Sequence, residues 1–136
     1  MGLFSFFSKD VTKRVLVVED DVPLRSFIAD RLLAHGIDVV ETGDGTTVLD
    51  LVRENKPDCI VLDVMLPGKS GMQVLEELRQ QDKVTPVVIL TTLSGEGGLK
   101  LEAAKHNAVF LNKADTALEV VIDTVLRFAL KDETAD

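Results

Sequence analysis

The 136-residue chain has a single cysteine, few cations relative to its acids, and no apolar run long enough to cross a membrane. Cys59 cannot form an internal disulfide and has no cysteine or histidine at metal-ligand spacing, which favours a reducing, cytoplasmic setting. The net charge of −8 argues against direct nucleic-acid binding, because phosphates would be repelled. A membrane span needs about 20 consecutive apolar residues, so we expect none.

Both ends of the chain differ in character from the middle, which we interpret as one domain at residues 13–130. Residues 131–136 form a polar tail. Residues 1–12 form an N-terminal tail without the basic start and long apolar stretch of a secretory signal. Its apolar cluster is Leu3, Phe4, Phe6 and Phe7. The cluster belongs to a tail that is disordered or folds back onto the domain, or else it anchors a partner or membrane surface, and the few cations argue against a membrane.

One apolar run that ends in an acid organises the rest of the chain. Residues 59–62 read Cys-Ile-Val-Leu, which predicts a fully buried strand. Asp63 follows at once, ahead of a loop that contains a proline and two glycines. In an open α/β sheet, the carboxyl ends of the strands are where ligands bind. Asp63 is therefore a candidate functional carboxylate, although by itself it could simply end the strand.

The remaining chain alternates between strand and helix patterns. Further apolar runs predict strands at residues 14–18, 37–42, 87–90 and 109–112. Segments with helical apolar spacing follow each strand, and the fourth is short, near residues 99–105. Capping-box spacing of Ser70 with Gln73, and of Thr116 with Glu119, marks two helix starts. The alternation predicts an α/β fold with a doubly wound, five-stranded parallel sheet covered on both faces.

Chemically active residue types end four of the five predicted strands. Glu19 and Asp20 follow the first strand, Asp63 the third, Thr91 the fourth and Lys113 the fifth. Each has a structural explanation alone, as a helix cap, a strand residue or a solvated lysine. Their common position at one sheet edge makes that explanation improbable for the set. Three adjacent carboxylates repel one another, and a hard cation such as Mg²⁺ removes that penalty.

This combination also predicts a reaction. Asp63 can act as a nucleophile on phosphorus, as carboxylates do in aspartyl-phosphate chemistry. Lys113 supplies a positive charge, and the Thr91 hydroxyl can hydrogen-bond a phosphoryl oxygen.

The sequence resembles the receiver domain of two-component response regulators, of the stand-alone type. The resemblance covers about residues 13–130, and its motifs are highly specific in combination. They are Val17-Val18-Glu19-Asp20-Asp21, Leu62-Asp63-Val64-Met65-Leu66-Pro67 with Gly71, Leu90-Thr91-Thr92, and Phe110-Leu111-Asn112-Lys113. The resemblance implies a flavodoxin-like (βα)5 fold with strand order 2-1-3-4-5.

The resemblance assigns roles around the third strand. It implies that Asp63 accepts a phosphoryl group from a histidine kinase or a histidine phosphotransfer protein. Mg²⁺ would be bound by Asp20, Asp63 and the backbone carbonyl of Met65, with Glu19 acting through water. The protein would then catalyse only its own phosphorylation and dephosphorylation.

It also assigns a switch. Lys113 and Thr91 would contact the phosphoryl group, and Thr91 and Phe110 would transmit its presence. The face made by the fourth helix, fifth strand and fifth helix would change for binding a downstream protein, with homodimer formation on phosphorylation as a further expectation.

The chain departs from the family pattern at three places. The family usually has a proline after the lysine, joined by a cis peptide bond, and here Ala114 stands there. A cis bond to another residue costs about 2.5–4 kcal/mol, so the sequence leaves open both the isomer of the Lys113–Ala114 bond and the position of Lys113. Thr92 stands where the family often has a smaller residue. Asn107 tolerates the positive φ that the turn before the fifth strand needs, and we interpret His106 as a surface turn residue.

Other classes of function remain open at this point. A receiver-like interaction module would never be phosphorylated and would signal by docking alone. A flavin-binding protein on the same fold is disfavoured, because the loop after the first strand is acidic. A phosphatase with an aspartyl nucleophile is disfavoured too, because such enzymes place a second acid where this chain has Met65. Fold alone would not separate these classes.

Overall fold

A computed structural model describes residues 12–131 of the chain. Within that part, five parallel strands form one sheet in the order β2-β1-β3-β4-β5, as expected. The strands are β1 (Arg14–Val18), β2 (Asp38–Thr42), β3 (Cys59–Leu62), β4 (Val87–Thr91) and β5 (Ala108–Asn112). The helices are α1 (Val22–Ala34), α2 (Val48–Asn55), α3 (Gly71–Gln81), α4 (Leu99–Lys105) and α5 (Leu118–Ala129). One-turn 3-10 helices, Gly45–Thr47 and Glu96–Gly98, lead into α2 and α4.

The central strands β1 and β3 carry the acids that matter most. They pair in parallel, with Val18 opposite Leu62 at their carboxyl ends. The ladder continues one residue further, because the Asp63 amide donates to the Val18 carbonyl at 3.1 Å. Every residue of β3 is buried, as its unbroken apolar sequence predicts for a strand covered on both faces. Asp63 therefore leaves the sheet beside the end of β1.

Two apolar cores cover the two faces of the sheet. On one face, α1 and α5 pack against β-strand side chains such as Val15, Val17 and Val61. On the other, α2, α3 and α4 pack against side chains such as Leu16 and Leu62. Alternate residues of β1 thus point to opposite cores, as the period of two in a strand requires. The doubly wound arrangement predicted from the alternation is confirmed.

Side chains cap the starts of α1 and α3, and of the two helix starts predicted from capping-box spacing the one at Ser70 is confirmed. The Asp21 side chain accepts from the Leu24 amide at the start of α1, and Ser70 accepts from the Gln73 amide at the start of α3. The predicted cap at Thr116 is wrong. Helix α5 begins at Leu118, because the Ala117 carbonyl already accepts from the amides of the first helical turn.

Both tails fall largely outside the part of the chain that the structure describes. The apolar cluster at residues 3–7 and the C-terminal tail at residues 132–136 lie outside the described residues. Within residues 12–131, no helix has both the length and the apolar character that a membrane span requires. Asn107 adopts φ +57°, which is the positive value anticipated for the turn before β5.

Candidate functional site

Three carboxylates from two strand ends meet at the carboxyl edge of the sheet. Oxygens of Glu19, Asp20 and Asp63, hereafter the acid cluster, all lie within 4.8 Å of one another. Glu19 and Asp63 are buried, at 2% and 5% exposure, whereas Asp20 is exposed at the mouth. The structure therefore brings together the three acids that the sequence placed at this edge.

Lys113 reaches this cluster from β5. Its Nζ atom lies 2.9 Å from Glu19 Oε1 and 3.0 Å from Asp63 Oδ2. The Lys113 amide donates to the Thr91 carbonyl at 2.8 Å, which extends the β4–β5 ladder and fixes the lysine backbone. Residues 12–131 contain no cis peptide bond, so the Lys113–Ala114 bond, which the sequence left open, is trans. With this trans bond the Lys113 side chain still contacts both acids.

Burial and ion pairing set the charges in this site. Burial raises the pKa of Glu19, although hydrogen bonds from Lys113 and from the Asp21 amide oppose the rise. Burial alone would lower the pKa of Lys113, but its hydrogen bonds to Glu19 and Asp63 outweigh that effect and raise it. Lys113 is therefore a fixed cation at neutral pH. The carboxylates still outnumber it, so the cluster carries excess negative charge.

The donor set fits a hard divalent cation. All three side chains offer carboxylate oxygens, which Mg²⁺ prefers. Both Glu19 oxygens already accept hydrogen bonds, one from Lys113 and one from the Asp21 amide at 3.1 Å. That arrangement suits a water-mediated contact by Glu19 better than a direct one. The Asp20 carboxylate is exposed, so a hydrated ion can reach it directly from solvent.

The backbone around Asp63 is held by a close approach that only glycine permits. A Cβ atom on Gly71 would lie 2.1 Å from the Asp63 carbonyl oxygen, far inside van der Waals contact. The Gly71 amide instead donates to the Val64 carbonyl at 2.8 Å. The Met65 amide donates to Asp63 Oδ1 at 3.2 Å and so orients the carboxylate. The start of α3 thus fixes the Asp63 loop.

Thr91 and Phe110 differ in how deeply their side chains are buried. Thr91 ends β4 fully buried, and its hydroxyl oxygen accepts from the Leu93 amide at 3.3 Å. A hydroxyl that accepts still has its own proton to donate. Phe110 is partly buried and borders a cavity of about 450 Å³ between the β4–α4 loop, α4 and the start of the β5–α5 loop. Thr92 is exposed, with its hydroxyl 4.0 Å from Met65 Sδ.

Sequence reasoning missed two residues that hold this site. Arg25 of α1 donates from Nη1 to the Glu19 carbonyl at 2.8 Å and pairs with Glu41 at 3.3 Å. Asn112 donates from Nδ2 to the Leu93 carbonyl and accepts at Oδ1 from the Ala114 amide. Arg25 lies in none of the sequence motifs, and Asn112 lies in the fifth-strand motif, which assigns it no role. Only the fold shows which loops these side chains join.

A second group of candidate metal ligands lies between α3 and α4. Glu76, Glu102 and His106 offer ligand atoms within 4.8 Å of one another, and His106 Nε2 is 3.4 Å from Glu102 Oε2. All three are at least partly accessible, and exposed acidic groups of this kind are common without an ion. His106 follows α4 directly, at the turn position expected for it.

The fold is a doubly wound α/β sheet with a charged site at the carboxyl ends of its strands. Acids follow the first and third strands, and a lysine follows the fifth. The family model for the response regulator receiver domain matches residues 15–121. The chain belongs to this family, which confirms the resemblance seen in the sequence.

Solved structures support the assignment. The receiver domain of the Francisella response regulator 1452 is 32% identical, with 88% of this chain and 98% of that chain covered and a TM-score of 0.79. The BeF3-activated N-terminal receiver domain of Klebsiella pneumoniae RstA is 33% identical, with coverage of 88% and 100% and a TM-score of 0.77. The Vibrio cholerae chemotaxis protein CheY4 is 27% identical, with coverage of 87% and 99% and a TM-score of 0.76.

Proposed function

We propose that the protein is a phospho-acceptor switch of a two-component or phosphorelay system, in which Asp63 receives a phosphoryl group. The observation that carries the proposal is the contact of Lys113 with Asp63 beside Glu19 and Asp20, deep in the edge of the sheet. A carboxylate held between a fixed cation and other acids is oriented for attack and has counter-charges for incoming phosphoryl oxygens. Membership of the receiver family supports the same interpretation.

Phosphoryl transfer to Asp63 is a displacement at the phosphorus atom. An Asp63 carboxylate oxygen forms a bond to phosphorus, and the phosphorus–nitrogen bond of a phosphohistidine donor breaks, with its electron pair left on the histidine nitrogen. Later, water attacks the phosphorus atom, phosphate leaves, and the Asp63 carboxylate is restored. The donor would be a histidine kinase or a histidine phosphotransfer protein.

The residues around Asp63 have separate tasks. Mg²⁺ would be held by Asp20, Asp63 and the Met65 carbonyl, with Glu19 acting through water, and would neutralise phosphoryl oxygens. Lys113 keeps its positive charge, and so it binds a phosphoryl oxygen in place of one of its present contacts. With these roles the protein catalyses its own phosphorylation and does not act on a separate substrate.

Output would follow from Thr91 and Phe110. The Thr91 hydroxyl can donate to a new phosphoryl oxygen, and a movement toward it weakens its contact with the Leu93 amide. Phe110 borders the open cleft beside α4, and a movement of Thr91 would open space beside the fifth strand into which Phe110 turns. The change would then reach the α4-β5-α5 face.

That face offers side chains for a partner. Leu101 on α4 is 64% exposed and Val120 on α5 is 50% exposed. Phe128, by contrast, packs partly against the core formed with α1 and is a weaker candidate contact. We infer a downstream protein, or a second phosphorylated copy, as the occupant of this face, with no direct contact to nucleic acid. A cytoplasmic location is part of this proposal.

Intact mass after incubation with acetyl phosphate and Mg²⁺ tests the proposal. We expect one phosphoryl adduct, labile to hydroxylamine as an acyl phosphate is, and no adduct in Asp63→Asn. Asp21→Asn is the matched control, because Asp21 directly follows Glu19 and Asp20 in the chain yet serves as the N-cap of α1. An adduct that survives Asp63→Asn would contradict the assignment. A complete lack of labelling would favour an interaction module that is never phosphorylated.

A further inference from the structure

The Asn112 side chain joins two loops that the proposed switch depends on. Its Nδ2 atom donates to the Leu93 carbonyl at 2.9 Å, in the loop between β4 and α4. Its Oδ1 atom accepts from the Ala114 amide at 2.7 Å, in the loop that begins at Lys113. The neutral Asn112 side chain therefore donates through its amide nitrogen to the β4–α4 loop and accepts through its amide oxygen from the loop after β5. These two contacts are hereafter the Asn112 clamp.

The second contact depends on the residue type at position 114, directly after the lysine. Ala114 has a backbone N–H to donate, and a proline at this position would have none. An asparagine that accepts from the amide two residues later forms an Asx turn, which restrains the intervening residue. The intervening residue here is Lys113. The clamp thus supplies a local restraint on the Lys113 backbone in a loop whose peptide bonds are trans.

The first contact reaches the other phosphoryl-facing residue. The Leu93 amide donates to the Thr91 hydroxyl at 3.3 Å, and the Leu93 carbonyl accepts from Asn112. The Lys113 amide in turn donates to the Thr91 carbonyl at 2.8 Å. These three hydrogen bonds, together with the peptide bond between Asn112 and Lys113, therefore connect Thr91, Leu93, Asn112 and Lys113 in a closed circuit. A change at the Thr91 hydroxyl is passed to Leu93, whose carbonyl is held by the clamp.

We propose that Asn112 is a positioning residue, which sets Lys113 for phosphoryl transfer through Ala114 and restrains the β4–α4 loop through Leu93. This inference rests on the proposed function of Asp63. The two contacts have separable consequences. Loss of the Ala114 contact loosens Lys113 and slows phosphorylation. Loss of the Leu93 contact releases the glycine-containing loop ahead of α4, so that this loop opens more often in the unphosphorylated protein.

Two variants separate these consequences. Asn112→Ala removes both contacts. Asn112→Thr is neutral, and its hydroxyl can accept from the amide two residues later, as Ser and Thr do in ST turns, but it has no group that reaches Leu93. The matched control is Asn55→Ala, which removes an asparagine contact to the Leu51 carbonyl at the C-terminal end of α2.

The first measurement is the rate of Asp63 labelling by acetyl phosphate with Mg²⁺, alongside thermal melts. We expect Asn112→Ala to slow labelling about threefold to tenfold, the range that loss of one neutral hydrogen bond gives. Asn112→Thr should restore most of the rate. Asn55→Ala should label at the wild-type rate while it lowers the melting temperature as much as Asn112→Ala does. If Asn112 has only a structural role, Asn112→Ala should be labelled at the same rate as Asn55→Ala.

The second measurement is residue-resolved amide exchange without any phosphoryl donor. We expect faster exchange at Ala114 in Asn112→Ala alone, and faster exchange in residues 93–98 in both Asn112 variants. Unchanged exchange at Ala114 and in residues 93–98 of Asn112→Ala would overturn the clamp. So would a labelling rate that Asn112→Thr fails to restore. If the wild-type protein is not labelled at all, the proposed function fails, whereas the exchange results still decide whether the clamp exists.

Discussion

The Nζ atom of Lys113 lies 3.0 Å from Oδ2 of Asp63, although 50 residues separate them in the sequence. The strands that precede them are not neighbours, because β4 lies between β3 and β5 in the sheet. The lysine side chain therefore passes over the end of β4, where Thr91 is buried. Lys113 thus spans from the end of β5 to the end of β3, and Thr91, the residue assigned to the proposed switch, ends the strand between them.

Replacement of that lysine should destabilise the protein when no metal ion is bound. Lys113→Ala leaves the buried carboxylates of Glu19 and Asp63 without their cation. We expect the free energy of unfolding to fall by about 1–3 kcal/mol, below the value for a fully buried pair because the Lys113 side chain keeps some solvent contact. Urea unfolding with and without Mg²⁺ measures this. Saturating Mg²⁺ should recover part of the loss, and an equal loss in both conditions would contradict the model.

Magnesium should stabilise the wild-type fold, because only the native state gathers the acid cluster. A ligand at 100 times its dissociation constant adds about 2.7 kcal/mol to the free energy of unfolding. Thermal melts across a Mg²⁺ series should therefore show a rising melting temperature, and Asp20→Asn should weaken the rise. Asp30→Asn, an exposed acid on α1, is the control and should leave it unchanged. A flat series for the wild-type protein would exclude the metal site.

The switch should be visible as protection of the segment around α4. Beryllofluoride mimics a phosphoryl group on Asp63, and its binding should slow amide exchange in residues 93–105. The segment has few buried side chains and contains a glycine-rich 3-10 helix, Glu96–Gly98, so its local stability is low and its response should be large. If only the loops of the acid cluster change, the signal leaves through another face of the molecule.

Asp82 should make stability depend on pH at the opposite edge of the sheet. Burial raises its pKa, but hydrogen bonds from the Thr85 side chain and from the amides of Thr85 and Val84 outweigh it and lower the pKa overall. A lowered native pKa means that the ionised form stabilises the fold above the unfolded pKa, near about 3.9, and that this stabilisation disappears as pH falls through the native value.

Asp82→Asn should therefore lower the free energy of unfolding by about 1–2 kcal/mol at pH 7, and the difference from wild type should shrink below about pH 4. Urea unfolding at pH 7 and at pH 3 provides the comparison, with Asp30→Asn as the control at each pH. A difference that stays constant between the two pH values would show that Asp82 acts through its shape rather than its charge.

Local pattern was enough to predict the sheet and the acid cluster. Unbroken apolar runs such as residues 59–62 identify strands buried on both faces, and parallel strands place the residues after them at one edge. That geometry brings Glu19 and Asp63 together whatever conformation the following loops adopt. The cap at Thr116 was mispredicted, because its spacing is typical of a helix start but the turn after β5 delays the helix by one residue.

Contacts between distant loops could not be predicted from the sequence. Arg79 is buried on α3 and donates to the carbonyls of His106 and Asn107, which ties α3 to the turn before β5. An arginine on a helix is more often solvated, and nothing in its spacing distinguishes this one. Asn112 is similar, since its partners Leu93 and Ala114 depend on how two loops approach each other. Such residues are identified only when the tertiary structure is available.

The close approach of Gly71 to the Asp63 carbonyl has a consequence for saturation mutagenesis of this protein. Because even a methyl group would displace the Asp63 backbone, every substitution at Gly71 should impair signalling about as severely as loss of the proposed phospho-acceptor. A screen scored on signalling alone would therefore rank Gly71, which takes no part in the proposed reaction, beside Asp63. Scoring cellular abundance in parallel would separate them, because Gly71 variants lose folded protein whereas Asp63→Asn removes chemistry from an intact fold.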